Sequence, residues 1–139
     1  MITEATLSIL FIDGNNQDRQ YYVQGLSVCS PHYQVFEAAW GKSGLNLYES
    51  CFIDCVVLEL DLPDMSGFEV LLKLVPNAHH PDVPVIVLTR VTNPSLLKAA
   101  TTNGAQASLQ KTQTTGDILD KAILTAISTV GKGRKERVV

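Results

Sequence analysis

Five residues that could take part in metal or phosphate chemistry stand at the ends of apolar segments. They are Asp13, Glu59, Asp61, Thr89 and Lys111. Carboxylates are the ligands that hard Mg²⁺ prefers, and a lysine ammonium binds phosphate oxygens. If the apolar segments are parallel strands, their carboxyl ends meet at one edge of a sheet, where ligand sites form. These side chains would then lie together.

Five apolar runs are predicted to be β-strands. They are Leu7–Ile12, Tyr33–Glu37, Cys55–Leu60, Val83–Leu88 and Ala107–Leu109. The third and fourth runs are almost entirely apolar and rich in valine and isoleucine, which is typical of strands buried on both faces of a parallel sheet.

Helical patterns separate the strands. Capping signals at Ser66 and Asn93 begin the third and fourth helices. The last helix has an apolar stripe and is predicted to end at Gly131, while weaker patterns cover Asn16–Cys29 and Ser43–Cys51. The alternation predicts an α/β fold, an open parallel sheet with helices on both faces.

Size and charge limit the classes of function. The chain has 139 residues, which fits one domain, and a net charge of -3 gives no reason to expect a nucleic-acid partner. No apolar run approaches the ~18 residues of a membrane span, so no membrane partner is expected. Three cysteines without a signal peptide favour a reducing, cytoplasmic location.

Four segments together resemble the receiver domains of response regulators (CheY-like). The segments are ILFID ending at Asp13, Val56–Gly67, Pro84–Thr89 and Asn103–Lys111. The resemblance runs from Ile9 to about Val130 and implies a flavodoxin-like (βα)5 three-layer sandwich with strand order 2-1-3-4-5. It places a receiver domain at residues 1–131 and a basic tail or linker at residues 132–139.

The resemblance also implies roles for the strand-end residues. In the family, an aspartate takes a phosphoryl group from a histidine kinase, and Mg²⁺ held by acidic residues offsets the charge. A lysine, here Lys111, contacts the phosphoryl oxygens. A hydroxyl residue, here Thr89, moves toward the phosphate, and an aromatic residue on the fifth strand follows it.

The match is partial at this site, where five residues depart from the family pattern. They are Glu59 at the phosphoacceptor position, Gly14 for the second acid, Arg90 for a small residue, Ser108 for the switch aromatic and Thr112 for a proline. A shifted register would make Asp61 the acceptor. Weak Mg²⁺ binding by Asp13 and Glu59 stays possible.

Glu59 has two interpretations. Its carboxylate extends about 1.5 Å farther than that of aspartate, so it could stand in weakly for a phosphorylated aspartate. Alternatively the site has decayed, and Glu59 only pairs with Lys111. Arg90 could be a plain exposed residue, or its guanidinium could reach a neighbouring carboxylate such as Glu59.

Three function classes follow. The leading hypothesis is a non-enzymatic pseudo-receiver of a two-component phosphorelay. It would bind a protein partner such as a histidine kinase or effector domain, with residues 93–130 as the contact face and a possible homodimer interface. The second is a conventional phosphoacceptor that uses Asp61 or Glu59. The third, a flavodoxin-like cofactor binder, is disfavoured because no glycine-rich loop follows the first strand.

The pseudo-receiver hypothesis makes specific predictions. Small phosphodonors should not modify the protein, and Glu59→Asp should restore little unless an acid is also placed at Gly14. The bond from Lys111 to Thr112 should be trans, because proline is absent. Lys111 should contact Glu59 directly, which would hold the site in one state.

Overall fold

The computed structural model describes residues 6–30 and 32–134, without the side chains of residues 131–134. The strands are β1 Leu7–Ile12, β2 Tyr33–Ala38, β3 Cys55–Leu58, β4 Val85–Thr89 and β5 Ala107–Gln110. The helices are α1 Asn16–Cys29, α2 Gly41–Ser50, α3 Gly67–Leu74, α4 Pro94–Thr102 and α5 Gly116–Arg134, and a short 3-10 turn covers Lys111–Gln113.

The five strands form one sheet in the order β2-β1-β3-β4-β5, and every neighbouring pair is parallel. The predicted flavodoxin-like α/β fold and its strand order are therefore confirmed. β1 lies between β2 and β3, so the strand order reverses at β1. A crevice outside the carboxyl ends of the strands at such a reversal is where ligands bind in sheets of this kind.

Two apolar cores hold the three layers together, because successive side chains of a strand point to opposite faces. Leu10 and Ile12 of β1 enter the core that includes α2, α3 and α4. Ile9 and Phe11 enter the core that includes α1 and α5. All four residues of β3 are buried, as the apolar sequence of this strand predicted. The central strands are thus rigid supports for the residues that follow them.

The predicted helix starts at Ser66 and Asn93 are confirmed. The Ser66 side chain accepts a hydrogen bond from the Phe68 amide (3.1 Å), and Asn93 accepts one from the Ser95 amide (2.8 Å). The predicted end of the last helix is wrong, because α5 continues through Gly131 to Arg134. Glycine costs a helix only about 1 kcal/mol, so one glycine does not have to end it.

The predicted tail is only partly described. Residues 132–134 belong to α5, and residues 135–139 lie outside the described residues. In residues 6–30 and 32–134, no helix has both the length and the apolar character that a membrane crossing requires.

Candidate functional site

Four of the predicted site residues meet at the carboxyl ends of the strands. The ammonium nitrogen of Lys111 lies 2.6 Å from Asp13 Oδ2 and 3.0 Å from Glu59 Oε1. The Thr89 hydroxyl donates a hydrogen bond to Glu59 Oε2. The predicted contact between Lys111 and Glu59 is confirmed.

The backbone holds Glu59 at this place from both sides. Its amide donates to the Ile12 carbonyl (3.0 Å), which extends the pairing of β1 with β3. The chain then folds back, and Gly67 packs against it so closely that a Cβ at residue 67 would lie 2.5 Å from the Glu59 carbonyl oxygen. Any larger residue at this position would push the loop away from the strand.

The Glu59 carboxylate is buried, and each of its oxygens has two donors. Oε1 contacts Lys111 and accepts from the Arg90 amide (3.2 Å). Oε2 accepts from the Thr89 hydroxyl and from the Asp61 amide (3.1 Å). A buried carboxylate is stable only when it is paired and hydrogen-bonded, and Glu59 meets this requirement with groups of the protein.

Lys111 contacts a third carboxylate, because its ammonium nitrogen also lies 2.9 Å from Asp18 Oδ2. We call Lys111, Asp13, Asp18 and Glu59 the Lys111 cluster. The ammonium donates hydrogen bonds to Asp13 and Asp18 and forms an ion pair with Glu59. Burial lowers the pKa of Lys111, but hydrogen bonds to Asp13 and Asp18 and the charge of Glu59 outweigh it and raise this pKa above its ordinary value.

Asp13 is the most buried carboxylate of the cluster, with 1% of its surface exposed. Burial raises the pKa of Asp13 above its ordinary value, against the opposing hydrogen bonds from Lys111 and the Asn15 amide. The Asn15 amide donates to Oδ1 (2.9 Å), while Lys111 binds Oδ2. Both oxygens are thus engaged, and Asp13 depends on Lys111 for its charge balance.

Asp18 was missed in the sequence. It lies in the first turn of α1, where its amide donates to the capping side chain of Asn15 (2.9 Å). The guanidinium of Arg90 binds both Asp18 oxygens, with distances of 2.8 and 3.0 Å. Hydrogen bonding to Arg90 is the main cause that lowers the pKa of Asp18 to about 2. An Asn cap followed by an acid in the first turn was the available signal.

The Arg90 guanidinium does reach a neighbouring carboxylate, but that carboxylate is Asp18 and not the suggested Glu59. The guanidinium turns to Asp18, and the backbone amide of Arg90 contacts Glu59 instead. The residue therefore makes two separate contacts with the cluster, one through the main chain and one through the side chain.

Gly14 has no room for the missing acid. A Cβ on residue 14 would lie 2.9 Å from the Pro63 ring and 3.2 Å from the Ala39 carbonyl oxygen. A proline ring cannot swing aside as a flexible side chain can, so the loop after β3 would have to shift. An acid added at Gly14 therefore has a steric cost, which the sequence did not reveal.

Asp61 takes part through its backbone. Its amide donates to Glu59, whereas the residue itself is exposed. The carboxylate of Asp61 thus lies outside the buried cluster that the sequence grouped it with.

Ser108 and the loop after β5 complete the surroundings. The half-buried Ser108 donates its hydroxyl to the Leu97 carbonyl (2.8 Å), which ties β5 to α4. The bond from Lys111 to Thr112 is trans, as predicted. The Tyr22 hydroxyl lies 3.0 Å from the Lys111 carbonyl and 2.9 Å from that of Thr114, which fixes the loop to α1.

The resemblance implies a bound Mg²⁺, and the oxygens that would hold it are those of Asp13 and Glu59. Mg²⁺ demands a near-octahedral set of oxygen ligands. The carboxylate oxygens of Asp13 and Glu59 are already bonded to Lys111 and to backbone or hydroxyl donors. Within the part of the chain that the structure describes, no group of three or more His, Cys, Asp or Glu residues could hold a metal ion. The residues as arranged do not fit Mg²⁺.

Comparison with known proteins gives consistent matches. A family model described as the response regulator receiver domain matches residues 9–123. A Vibrio cholerae protein named "Probable cyclic di-GMP phosphodiesterase" is 34% identical over 87 residues, which are 63% of this chain and 19% of that protein. The transcriptional regulatory protein QseB of Haemophilus influenzae is 47% identical over 49 residues, 35% of this chain and 21% of that protein. The chain spans about a fifth of the length of these relatives.

Solved structures share the fold. A crystal structure of a response regulator receiver domain protein from Clostridium thermocellum matches with a TM-score of 0.74 and 28% identity, covering 96% of this chain and 99% of that one. The family model covers well over half of the chain. The chain therefore belongs to the response regulator receiver domain family of two-component signalling.

Proposed function

We propose that this chain is a pseudo-receiver, a signalling module that binds a protein partner without cycling through phosphorylation. The observation that carries the proposal is the set of four donors around the Glu59 carboxylate. Two of them, Lys111 and the Thr89 hydroxyl, are the groups that the family resemblance assigns to the phosphoryl group. The side chain of Glu59 thus takes the contacts that a modified aspartate would need.

Charge and reach support this role. Glutamate extends its carboxylate about 1.5 Å beyond that of aspartate, toward the place of a phosphoryl group. A phosphoryl group carries about -1.5 to -2 charges, whereas a carboxylate carries one. Glu59 is therefore a partial mimic, and Asp13 and Asp18 supply the rest of the negative charge around Lys111.

The same contacts oppose phosphoryl transfer. A nucleophilic oxygen must be free and aligned, and a misplacement of about 1 Å can cost roughly a hundredfold in rate. Both oxygens of Glu59 are engaged, and the Lys111 ammonium lies among the carboxylates of Asp13, Asp18 and Glu59. We propose that the site binds no Mg²⁺ at physiological concentration and that neither Glu59 nor Asp61 is a working acceptor.

The partner is inferred to be a protein of a signalling pathway. The relatives include regulators, and sensor kinases carry related segments. A histidine kinase or an effector domain is therefore the proposed partner class, with residues 93–130 as the contact face. A homodimer through the same face is the alternative use of this surface, and size-exclusion chromatography with light scattering distinguishes the two.

The proposal is tested by exposing the purified chain to acetyl phosphate or phosphoramidate with Mg²⁺ and measuring the intact mass. We expect no species heavier by one phosphoryl group, while a receiver known to accept phosphate serves as the control for the donor. The Glu59→Asp variant should also stay unmodified, because position 14 still lacks an acid. A phosphoryl group on Glu59 or Asp61 of the natural chain would overturn the proposal.

A further inference from the structure

We propose that Asp18 is a positioning residue that connects the Glu59 site to the loop preceding α4, through the guanidinium of Arg90. The inference rests on the proposed single ligated state of Glu59 and adds the device that transmits this state. Asp18 is suited to the role because one of its oxygens, Oδ2, contacts both Lys111 and Arg90. A displacement of either Lys111 or Arg90 should therefore alter the position of Asp18 and, through it, the other cation.

Arg90 receives two independent restraints at the start of the loop. Its backbone amide donates to Glu59 (3.2 Å), and its guanidinium binds both oxygens of Asp18. A bidentate pair fixes the orientation of the guanidinium as well as its distance. The first residue after β4 is thus held through one contact to Glu59, which follows β3, and through the other to α1.

The restraint continues toward α4. The Val91 amide donates to the Thr89 hydroxyl oxygen (3.0 Å), so the next residue is also tied to the site. Asn93 then caps α4, only two residues farther on. At the other end of the connection, the Ser108 hydroxyl holds the Leu97 carbonyl of α4. The loop is therefore bonded to the site by the Thr89 hydroxyl, and α4 is bonded to β5 by the Ser108 hydroxyl. Ser108 stands at the position where the family has its switch aromatic.

The simpler alternative is that Arg90 and Asp18 form an ordinary surface ion pair. Such pairs contribute little, and 63% of the Arg90 side chain is exposed. Asp18 differs from an ordinary partner because it also contacts Lys111, whose side chain is only 7% exposed. The chain contains a comparison pair, Arg19–Glu37 (2.8 Å), which links α1 to β2. Arg19 also donates to the Asp13 carbonyl, so the control changes Glu37 and leaves Arg19 in place.

The first experiment compares Asp18→Asn with Glu37→Gln by ¹H–¹⁵N NMR of the amides of residues 90–100. We expect Asp18→Asn to shift the amides of the loop and of α4, because the link from Lys111 to Arg90 is lost. Glu37→Gln should leave those amides in place. Arg90→Lys is a second variant, which keeps an exposed cation but loses the bidentate guanidinium. It should shift the same amides in the same direction.

The second experiment measures how readily acetic anhydride modifies Lys111, with the exposed Lys98 as an internal reference. Removing one of the three carboxylates around Lys111 should raise its relative reactivity by at least about tenfold, the equivalent of roughly 1.4 kcal/mol. Glu37→Gln should leave the ratio unchanged. A general loss of stability would raise the reactivity of every buried lysine, and it would also lower the temperature of thermal unfolding.

The double variant Asp18→Asn/Arg90→Lys should shift the α4 amides no more than Asp18→Asn alone, because both changes remove one link. Shifts confined to residues 16–20, with α4 unmoved in both single variants, would overturn the inference. That result would leave the pseudo-receiver proposal intact as long as the natural chain takes no phosphoryl group. Phosphoryl uptake by the natural chain would instead remove the proposal on which this inference rests.

Discussion

Two groups of opposite charges join α1 to the sheet, and they differ in burial. The Lys111 cluster lies at the strand ends, where Asp13, Glu59 and the Lys111 side chain are nearly inaccessible to solvent. The Arg19–Glu37 pair has a similar distance, but 42% of the Glu37 side chain is exposed, whereas Arg19 is 12% exposed. Breaking a buried pair leaves an uncompensated charge, whereas water replaces a lost surface partner. Equal distances in the two places therefore correspond to very different energies.

The largest effect should come from Lys111→Met, which removes the cation that the structure pairs with the carboxylates of both Asp13 and Glu59. We expect a loss of about 3–5 kcal/mol in the free energy of unfolding, because two buried carboxylates lose their counter-ion. Urea denaturation at neutral pH measures it. Lys98→Met, at an exposed position of α4, is the control and should change stability by less than about 0.5 kcal/mol. A loss below about 1 kcal/mol for Lys111→Met would contradict the account.

Gly14→Asp should have the next largest effect. Its Cβ would lie 2.9 Å from the Pro63 ring, and overpacking of this kind costs about 1–3 kcal/mol. The same change at the exposed Gln17 in the first turn of α1 is the control, since an acid there meets a favourable helix terminus. If Gly14→Asp were as stable as the natural chain, the loop after β3 would be more adaptable than its packing indicates.

The acid stability of the chain should depend on Asp18. Its folded pKa of about 2 lies below the ordinary value of 3.8, so its contribution is present above pH 4 and is lost as pH falls toward 2. We expect the difference in unfolding free energy between the natural chain and Asp18→Asn to shrink over that interval. Burial raises the pKa of Asp13 above its ordinary value, so the contribution of Asp13 has the opposite pH dependence in both proteins. A constant difference from pH 5 to pH 2 would contradict this assignment.

The smallest effect should come from Glu37→Gln. Glu37 is the exposed partner of its pair with Arg19, so water can replace the lost contact, and pairs with an exposed partner contribute about 0–1 kcal/mol. Denaturation in low and high salt should show only a small, screened contribution. A loss that equals that of Lys111→Met would remove the distinction between the two groups of charges.

The sequence predicted the fold and the core of the site for a clear reason. Apolar periodicity identifies strands, and the carboxyl ends of parallel strands meet at one edge, so Asp13, Glu59, Thr89 and Lys111 were expected at that edge. The strand order that brings them together was implied by the family resemblance. Asp18 was missed because its side chain belongs to a helix. Its position at the site depends on how α1 is rotated against the sheet, which a single sequence does not reveal.

At two other positions, Arg90 and Gly14, the structure differs from what the sequence indicated, and each difference has a local cause. The direction of the Arg90 guanidinium depends on whether Asp18 or Glu59 is nearer, and the backbone amide of Arg90 already occupies the approach to Glu59. The steric limit at Gly14 comes from Pro63, which is distant in sequence. Both depend on contacts between separate loops rather than on the pattern within one element.

The most direct test of the central claim is the response of the chain to Mg²⁺ and beryllofluoride, followed by ¹H–¹⁵N NMR. If Glu59 already takes the contacts of a phosphoryl group, the mimic has no place to bind. The amides of Thr89, Arg90 and residues 93–130 should then stay where they are. A large shift across residues 93–130 would show that the site still binds a phosphoryl mimic and drives the distal face, and it would contradict the account.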